Sequence, residues 1–365
     1  MIYRRWFWLG IVLLFVGGAL LALSAGLDVS RAPVVAVPVT PVGLEIADST
    51  FVEPVLAVEL ESGAPVTATT RMEKTIDSPD PTLSPVEDMS CDASTGIDQN
   101  LCARGWPAER LSPLDGRILV GLYGTPLGRG LGILGTVSPT ATVTLAREQA
   151  SAYQAILTDT AVVPFFHMVT TIADRDPGED GDYNHRVPTP TIQLWIDVAR
   201  AHGMLVVLDI QPAHSPLPVE LDYVAPFLRQ RGVHLAVDPE FMMPHGAVPG
   251  ERIGFMDGDS VNLVQAWLAE RVWEAGERKL LIIHQFDERM FEGKERIRSY
   301  RLVELIWDSD GFGGPPAKIA DHLQYAEEPG FEYGGFKLFY DYDEPVMSPA
   351  EVLRLQPRPV FVVYQ

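Results

Sequence analysis

Two apolar runs in the middle of the chain end in polar residues that are spaced two apart. The first run is followed by Asp209 and Gln211, and the second by Asp238 and Glu240. Residues two apart on an extended strand lie on the same face. Each strand end would therefore present a pair of polar groups on one side. Polar groups at the inward-facing end of a buried strand indicate a site that binds a ligand or carries out a reaction.

Carboxyl groups that converge in this way suit hydrolysis of a glycosidic bond. One carboxylic acid protonates the leaving oxygen, and a second carboxylate acts as nucleophile or activates water. Glu240 is the candidate proton donor, because the apolar residues 241–243 follow it and partial desolvation would raise its pKa. Asp341, at the end of a later apolar run and on the same strand face as Lys337, is the candidate nucleophile or base.

Eight strand-like apolar runs would position these residues. Segments 191–202 and 260–275 have helical spacing between runs, and Ser348 followed by Pro349 is typical of a helix start. Eight strands alternating with helices over about 250 residues indicate an α/β fold of the (β/α)8 TIM barrel type, with an open doubly wound sheet as the alternative. The runs are 118–124, 161–171, 204–210, 233–238, 279–286, 301–308, 334–341 and 360–365.

Such a barrel carries its functional residues at the C-terminal ends of its strands. We therefore expect polar side chains from several strand ends to bind sugar hydroxyls or to orient the catalytic pair. A turn cap is the alternative for any single acid, but acids at four strand ends favour a common site. The predicted binding residues are Asp209, Gln211, Asp238, His284, Gln285, Asp310, Lys337 and Tyr340.

Other kinds of site are disfavoured. The histidines form neither HxH nor HExxH, no GxSxG occurs, and we predict no metal and no cofactor. Metal-dependent hydrolysis would require Asp209, Asp238 and His284 to converge. The glycine run 130–135 is interpreted as a loop over the barrel mouth, and the acidic segment 174–182 as a solvated loop without the order of ligands of an EF-hand.

The composition changes along the chain. Residues 1–26 contain two arginines before an uncharged run that can cross a bilayer, which predicts a signal anchor or, alternatively, a cleaved signal peptide. Residues 27–113 are rich in Pro, Thr and Ser, typical of a mostly disordered extracytoplasmic stalk, and 114–365 form the barrel domain.

Cys91 and Cys102 are expected to pair outside the cytoplasm, with two free thiols as the alternative. The formal net charge of -21 disfavours nucleic acid as a partner.

Several segments resemble a group of exported bacterial proteins with an uncharacterised, glycosidase-like barrel. They are, in order, YGTPLGRGLGILG, LDIQPAHS, VDPEF, IIHQF, DGFG and GFKLFYDYDEPVMSPAEVL. The resemblance covers residues 117–365 and implies a barrel and export, and it leaves the substrate and the catalytic residues open. The fourth run carries Asp-Pro-Glu where glycosidases with paired catalytic glutamates usually carry Asn-Glu.

These features predict an extracytoplasmic, glycoside-hydrolase-like barrel that acts on cell-wall or extracellular polysaccharide. The N-terminal segment would keep it on the cell membrane as a single-pass protein, unless the protein is secreted. The alternative is a catalytically inactive surface protein that binds carbohydrate. A hydrolase needs an open cleft with two carboxyl groups about 5 to 10 Å apart, which separates the two hypotheses.

Overall fold

The computed structural model of the chain describes residues 112–128 and 130–365. The predicted membrane segment, the predicted stalk and the expected Cys91–Cys102 pair lie outside these residues. Within the two described ranges, no helix is both long enough and apolar enough to cross a membrane.

The apolar runs of the sequence form parallel strands that are buried on both faces, as expected for strands covered by helices on one side and by a barrel core on the other. All eight predicted runs contain a strand of the barrel. In chain order, the strands of the described residues are β1 (Arg117–Gly124), β2 (Ala161–Ala173), β3 (Asn184–Arg186), β4 (Leu205–Ile210), β5 (Val233–Val237), β6 (Met256–Asp257), β7 (Lys279–Gln285), β8 (Phe291–Glu292), β9 (Val303–Ser309), β10 (Tyr333–Leu338) and β11 (Phe361–Tyr364).

Eight of these strands close into a TIM-like barrel, in the order β1-β2-β4-β5-β7-β9-β10-β11 and back to β1. The last strand pairs with the first, with Leu119 opposite Phe361, so the prediction that the end of the chain closes the barrel is confirmed. Strand β3 runs antiparallel to the end of β2, and β6 pairs with β8 outside the barrel. All eight barrel strands point their carboxyl ends the same way.

The barrel interior changes from apolar to polar along the strand direction. Near the amino ends, the rings of Phe165 and Phe361 pack with their centroids 4.5 Å apart. Gly121 faces them without a side chain, because a Cβ at that position would lie 2.4 Å from the carbonyl oxygen of Phe165. His167 lies two residues beyond Phe165 on the same face of β2, and with it begins a polar layer at the carboxyl ends.

The helices between the strands follow the sequence pattern with local differences. Ser348 caps the last helix in a capping box with Glu351, as its position before Pro349 predicted. Asp257 caps the helix that was predicted to begin at Ser260, because its carboxylate accepts a hydrogen bond from the Ser260 amide. In chain order, the α-helices of the described residues are α1 (Pro139–Gln154), α2 (Thr189–Ala201), α3 (Leu217–Leu228), α4 (Gly258–Ala275), α5 (Pro315–Ala326) and α6 (Pro349–Val352).

One connection departs from the regular alternation of a (β/α)8 barrel. Between β7 and β9, the described chain forms two 3₁₀ turns, Glu288–Met290 and Lys294–Arg296, and no α-helix. In this connection Lys294 is buried and donates to Gln285 and Glu328. The side chain of Lys294 thus packs the connection against the outside of the barrel, where a helix would otherwise lie.

Candidate functional site

The carboxyl ends of the strands open into a cavity of about 520 Å³, which we call the mouth cavity. Its volume falls within the range of about 300–1,000 Å³ that is typical of small-molecule sites. Polar side chains from several strand ends line it together with aromatic rings. Glu240, the candidate proton donor, lines this cavity. Six other predicted residues line it too: Gln211, Asp238, Asp310, Lys337, Tyr340 and Asp341.

Glu240 lies in a 3₁₀ turn directly after β5. Asp238 holds this turn, because its Oδ1 accepts a hydrogen bond from the Glu240 amide and its Oδ2 accepts one from Gln211 Nε2. Burial, together with the charges of Asp238 and Asp310, raises the pKa of Glu240 well above its usual value, and burial raises the pKa of Asp238 to about 7. Glu240 therefore holds its proton at a pH at which an ordinary glutamate has lost it, as a general acid must.

Asp310, just beyond β9, has the opposite environment. Lys337 Nζ lies 3.0 Å from its Oδ1, and His284 Nδ1 lies 3.0 Å from its Oδ2. Burial alone would raise the pKa of Asp310, but the charges of Lys337 and His284 outweigh it and lower the pKa. The carboxylate is thus anionic and held in place by two cations, on the wall of the cavity that Glu240 also lines.

A layer of fully buried groups lies beneath the cavity around Asp209. Its Oδ2 is 3.2 Å from the Tyr123 hydroxyl, 3.2 Å from His167 Nε2 and 3.2 Å from His284 Nε2. Burial would raise the pKa of Asp209, but the charge of His284 and hydrogen bonds from both imidazoles lower it. Asp209 orients the groups above it and has no surface of its own for a sugar.

His284 carries the positive charge at the centre of this layer. Burial would lower its pKa, but Asp209, Asp308 and Asp310 raise it well above the usual value. One ring nitrogen lies 3.2 Å from Asp209 Oδ2, and the other lies 3.4 Å from Asp308 Oδ2 and 3.0 Å from Asp310 Oδ2, so carboxylates on both sides favour the protonated imidazolium. His167 differs, because burial lowers its pKa and leaves the imidazole neutral.

Among the described residues, one group of side chains has the spacing of metal ligands. His167, Asp209 and His284 offer atoms that all lie within 4.8 Å of one another. This is not the predicted set of Asp209, Asp238 and His284, since His167 takes the place of Asp238. The unpartnered Oδ1 of Asp209 favours a cation. Against it, Oδ2 already lies 3.2 Å from the Tyr123 hydroxyl and from one nitrogen of each imidazole. The geometry fits a proton-bearing network better than a metal centre.

Chelation tests this interpretation without a substrate. We expect dialysis against EDTA to leave the melting temperature unchanged, because the three donors around Asp209 stabilise its charge without a metal ion. Elemental analysis of the purified protein should find no stoichiometric transition metal. A bound equivalent of zinc, or a lower melting temperature after chelation that zinc restores, would contradict the interpretation.

Asp341 and Tyr340 lie at the rim of the mouth cavity. The sequence placed Asp341 on one strand face with Lys337, but β10 ends at Leu338, so this parity argument is wrong. The chain turns there because the carboxylate of Asp343 accepts a hydrogen bond from the Phe339 amide and holds the turn. Asp341 is exposed as a result, and Tyr340 is 44% exposed and stacks on Tyr364 with the ring centroids 5.3 Å apart.

Gln285 does not reach the cavity. It follows His284 on β7, and adjacent residues of a strand point to opposite faces. Its side chain accepts a hydrogen bond from Lys294 and donates one to Glu328, outside the barrel. The predicted role of Gln285 in substrate binding does not fit this position, because only one of two neighbours can face the interior and His284 does.

The binding and catalytic predictions did not include Tyr123, His167 and Asp308. Tyr123 and His167 are paired on the neighbouring strands β1 and β2. Both are polar residues near the ends of the first two apolar runs, so the sequence could have indicated them as site residues. Asp308 lies on β9 beside His284, and its position depends on a register that the sequence does not state. The glycine run 130–135 does lie over the mouth, as predicted: residues 130–133 line the cavity and the Ile133 amide donates to the carbonyl oxygen of Tyr123.

No protein-family model matches this chain, and a search of curated proteins finds no similar one. The function is therefore inferred from the geometry and charge of the site, and the resemblance to exported glycosidase-like proteins stays a prediction.

Proposed function

We propose that this protein is a glycoside hydrolase that acts on extracellular or cell-wall polysaccharide. The observation that carries the proposal is a pair of carboxyl groups that line one cavity in opposite surroundings. Asp310 lies 3.0 Å from both Lys337 Nζ and His284 Nδ1, which lower its pKa, whereas burial and the charges of Asp238 and Asp310 raise the pKa of Glu240. Opposite shifts in one site are the usual mark of an acid and a base or nucleophile. Asp310 thus replaces Asp341 as the first candidate for the second carboxylate, and Asp341 at the rim remains the second.

The reaction would begin with proton transfer from the Glu240 carboxyl to the glycosidic oxygen as the bond to the anomeric carbon breaks. The Asp310 carboxylate would either attack that carbon or take a proton from the attacking water. Lys337 and His284 keep Asp310 ionised, because Lys337 Nζ lies 3.0 Å from its Oδ1 and His284 Nδ1 lies 3.0 Å from its Oδ2. If Asp310 is the nucleophile, the Glu240 carboxylate would then activate the water that releases the sugar.

Aromatic rings around the cavity support a sugar as the substrate. Phe312 and Tyr342 line it with their ring centroids 5.6 Å apart, and Tyr342 is 43% exposed. Exposed rings beside polar groups provide a flat apolar face together with hydrogen-bonding partners, as a pyranose requires. Polar and aromatic lining of this kind would also serve a protein that binds carbohydrate without cleaving it.

A substrate screen tests the proposal. The protein is incubated with cellulose, xylan, chitin, mannan and peptidoglycan, and new reducing ends are measured. Release of reducing ends from one of them is the expected result. Affinity for a polysaccharide without release would instead support the binding protein, and neither affinity nor release across the panel would sink the proposal.

The pH dependence of kcat/KM should be bell-shaped, because one carboxyl group must be protonated and the other ionised. Activity is expected to fall at low pH only below the ordinary aspartate pKa of about 3.9, since the pKa of Asp310 is lowered. It should fall at high pH well above the ordinary glutamate pKa of about 4.3, where the Asp238–Glu240 pair loses its proton. An alkaline limb near pH 4 would contradict the assignment of Glu240.

A further inference from the structure

A second cavity, of about 400 Å³, lies beside the mouth cavity, and we call it the side cavity. It is bounded by the loop after β1, the end of β2 and the segment around Pro249. Four residues line both cavities, so the two cavities adjoin along one shared wall. These residues are Gly130, Leu131, Gln211 and Phe241.

The proton donor stands at this shared wall. Phe241, the residue after Glu240, lines both cavities, as does Gln211, which donates to the Asp238 that holds the Glu240 turn. Asp310 and Lys337 line the mouth cavity only. Glu240 also lines the mouth cavity, but the residue next to it lines both cavities, so the candidate acid lies where the mouth cavity borders the side cavity.

The chemistry of glycoside hydrolysis predicts which part of the substrate lies in each cavity. The acid protonates the oxygen that leaves, while the second carboxylate faces the anomeric carbon of the sugar that stays. The sugar that keeps the anomeric carbon belongs beside Asp310 in the mouth cavity. The leaving group must then extend past Glu240 and Phe241, into the side cavity.

The lining of the side cavity suits a saccharide as that leaving group. Leu127 is 48% exposed at its edge, and Ile172 and Pro249 add apolar surface. Polar groups stand beside them: His185 Nδ1 lies 3.4 Å from Asp174 Oδ2, and both side chains are about half exposed, at 48% and 44%. An apolar wall with exposed hydrogen-bonding groups matches the two kinds of surface of a sugar ring.

From this geometry we infer that the side cavity binds the leaving-group part of a polysaccharide. The inference rests on the proposed function. It assigns the mouth cavity to the sugar on the side of the anomeric carbon and the side cavity to at least one sugar on the other side of the cleaved bond.

The test uses the full chain and two substrates built from the sugar of the polysaccharide that the screen identifies. One is the hexasaccharide. The other is the 4-nitrophenyl glycoside, which has no sugar in its leaving group. For Leu127→Ala and for His185→Ala, the ratio of kcat/KM for the hexasaccharide to that for the aryl glycoside should fall about tenfold, the equivalent of about 1.4 kcal/mol. Leu323→Ala is the matched control, because Leu323 is 46% exposed on α5 and lines neither cavity. Its ratio should stay at the wild-type value.

The possible results separate the two proposals. If the wild type cleaves the hexasaccharide and the ratio does not change in either variant, the side cavity is not the leaving-group site and the inference fails while the hydrolase stands. If nothing is cleaved, the proposed reaction fails. Calorimetric titration with the hexasaccharides of cellulose, xylan and chitin then tests whether the side cavity binds a sugar. A weaker affinity of Leu127→Ala than of the wild type would support binding there. An affinity that is unchanged in the variant, or undetectable in the wild type, would overturn it.

Discussion

Replacing Glu240 by glutamine should lower kcat/KM on the polysaccharide by about 10²- to 10⁴-fold, the usual contribution of a general acid. Glutamine keeps the size of the side chain and removes its transferable proton. The loss should be much smaller for a 2,4-dinitrophenyl glycoside, because a good leaving group departs without protonation. Steady-state kinetics on the two substrates measure both effects.

Stability provides an independent check on the same substitution. The pKa of Glu240 is raised in the folded protein, so folding takes up a proton between the unfolded and folded pKa values, and stability increases as the pH falls through that window. Glu240→Gln should therefore fold at least as stably as the wild type at pH 7 and lose this part of the pH dependence. Glu270→Gln, at a side chain 61% exposed on α4, should change neither activity nor stability. A Glu240→Gln protein that cleaves the polysaccharide as fast as the wild type would remove Glu240 from the mechanism.

The barrel could be predicted because its signal is local and repeated. A strand covered on both faces must be apolar along its whole length, so runs such as the one that became β4 are visible without knowing their neighbours. The alternation rule then placed Asp209 with Gln211, and Asp238 with Glu240. The apolar residues 241–243 selected Glu240 as the acid, and the structure gives that residue a raised pKa. These inferences needed only residues close together in the chain.

The parts that failed depend on contacts between distant residues. Asp341 was assigned by extending alternation past Leu338, but the Asp343 carboxylate, which also receives a hydrogen bond from the Gly313 amide, ends the strand early. The lowered pKa of Asp310 depends on Lys337 and His284, which come from two other strands. No pattern within one run states which carboxylate will meet a cation, so the choice between Asp310 and Asp341 needed the folded barrel.

The largest expected effect on stability comes from His284, which is fully buried between Asp209 and Asp310. Replacing it by asparagine keeps a polar side chain and removes the charge that the two carboxylates share. Removing one partner from a buried ion pair usually lowers the free energy of unfolding by about 3–5 kcal/mol. We expect a loss of this size for His284→Asn at pH 7, measured by urea denaturation. The control is His234→Asn, because His234 is equally buried and burial keeps its pKa well below the usual value, so its loss removes no charge.

The pH dependence of this loss distinguishes charge from packing. In the wild type, the lowered pKa values of Asp209 and Asp310 contribute stability above about pH 3.9, and this contribution is lost as the pH falls through the folded values. In His284→Asn, the pKa values of both carboxylates rise, so their protonation relieves the buried charge as the pH falls. Below the ordinary histidine pKa of about 6.5, His284 carries a proton in both the folded and the unfolded chain, so the difference between the two proteins should shrink on acidification from about pH 6 to about pH 4. His234→Asn serves as the control at pH 7 only, because below about pH 6.5 the unfolded chain takes up a proton that the buried His234 does not, which changes its loss as well. The acid limb of kcat/KM should also move to higher pH in His284→Asn, because Asp310 then keeps only Lys337 as its cation. Equal losses at every pH would mean that His284 acts by filling space, and the assignment of Asp310 as the ionised partner of Glu240 would lose its main support.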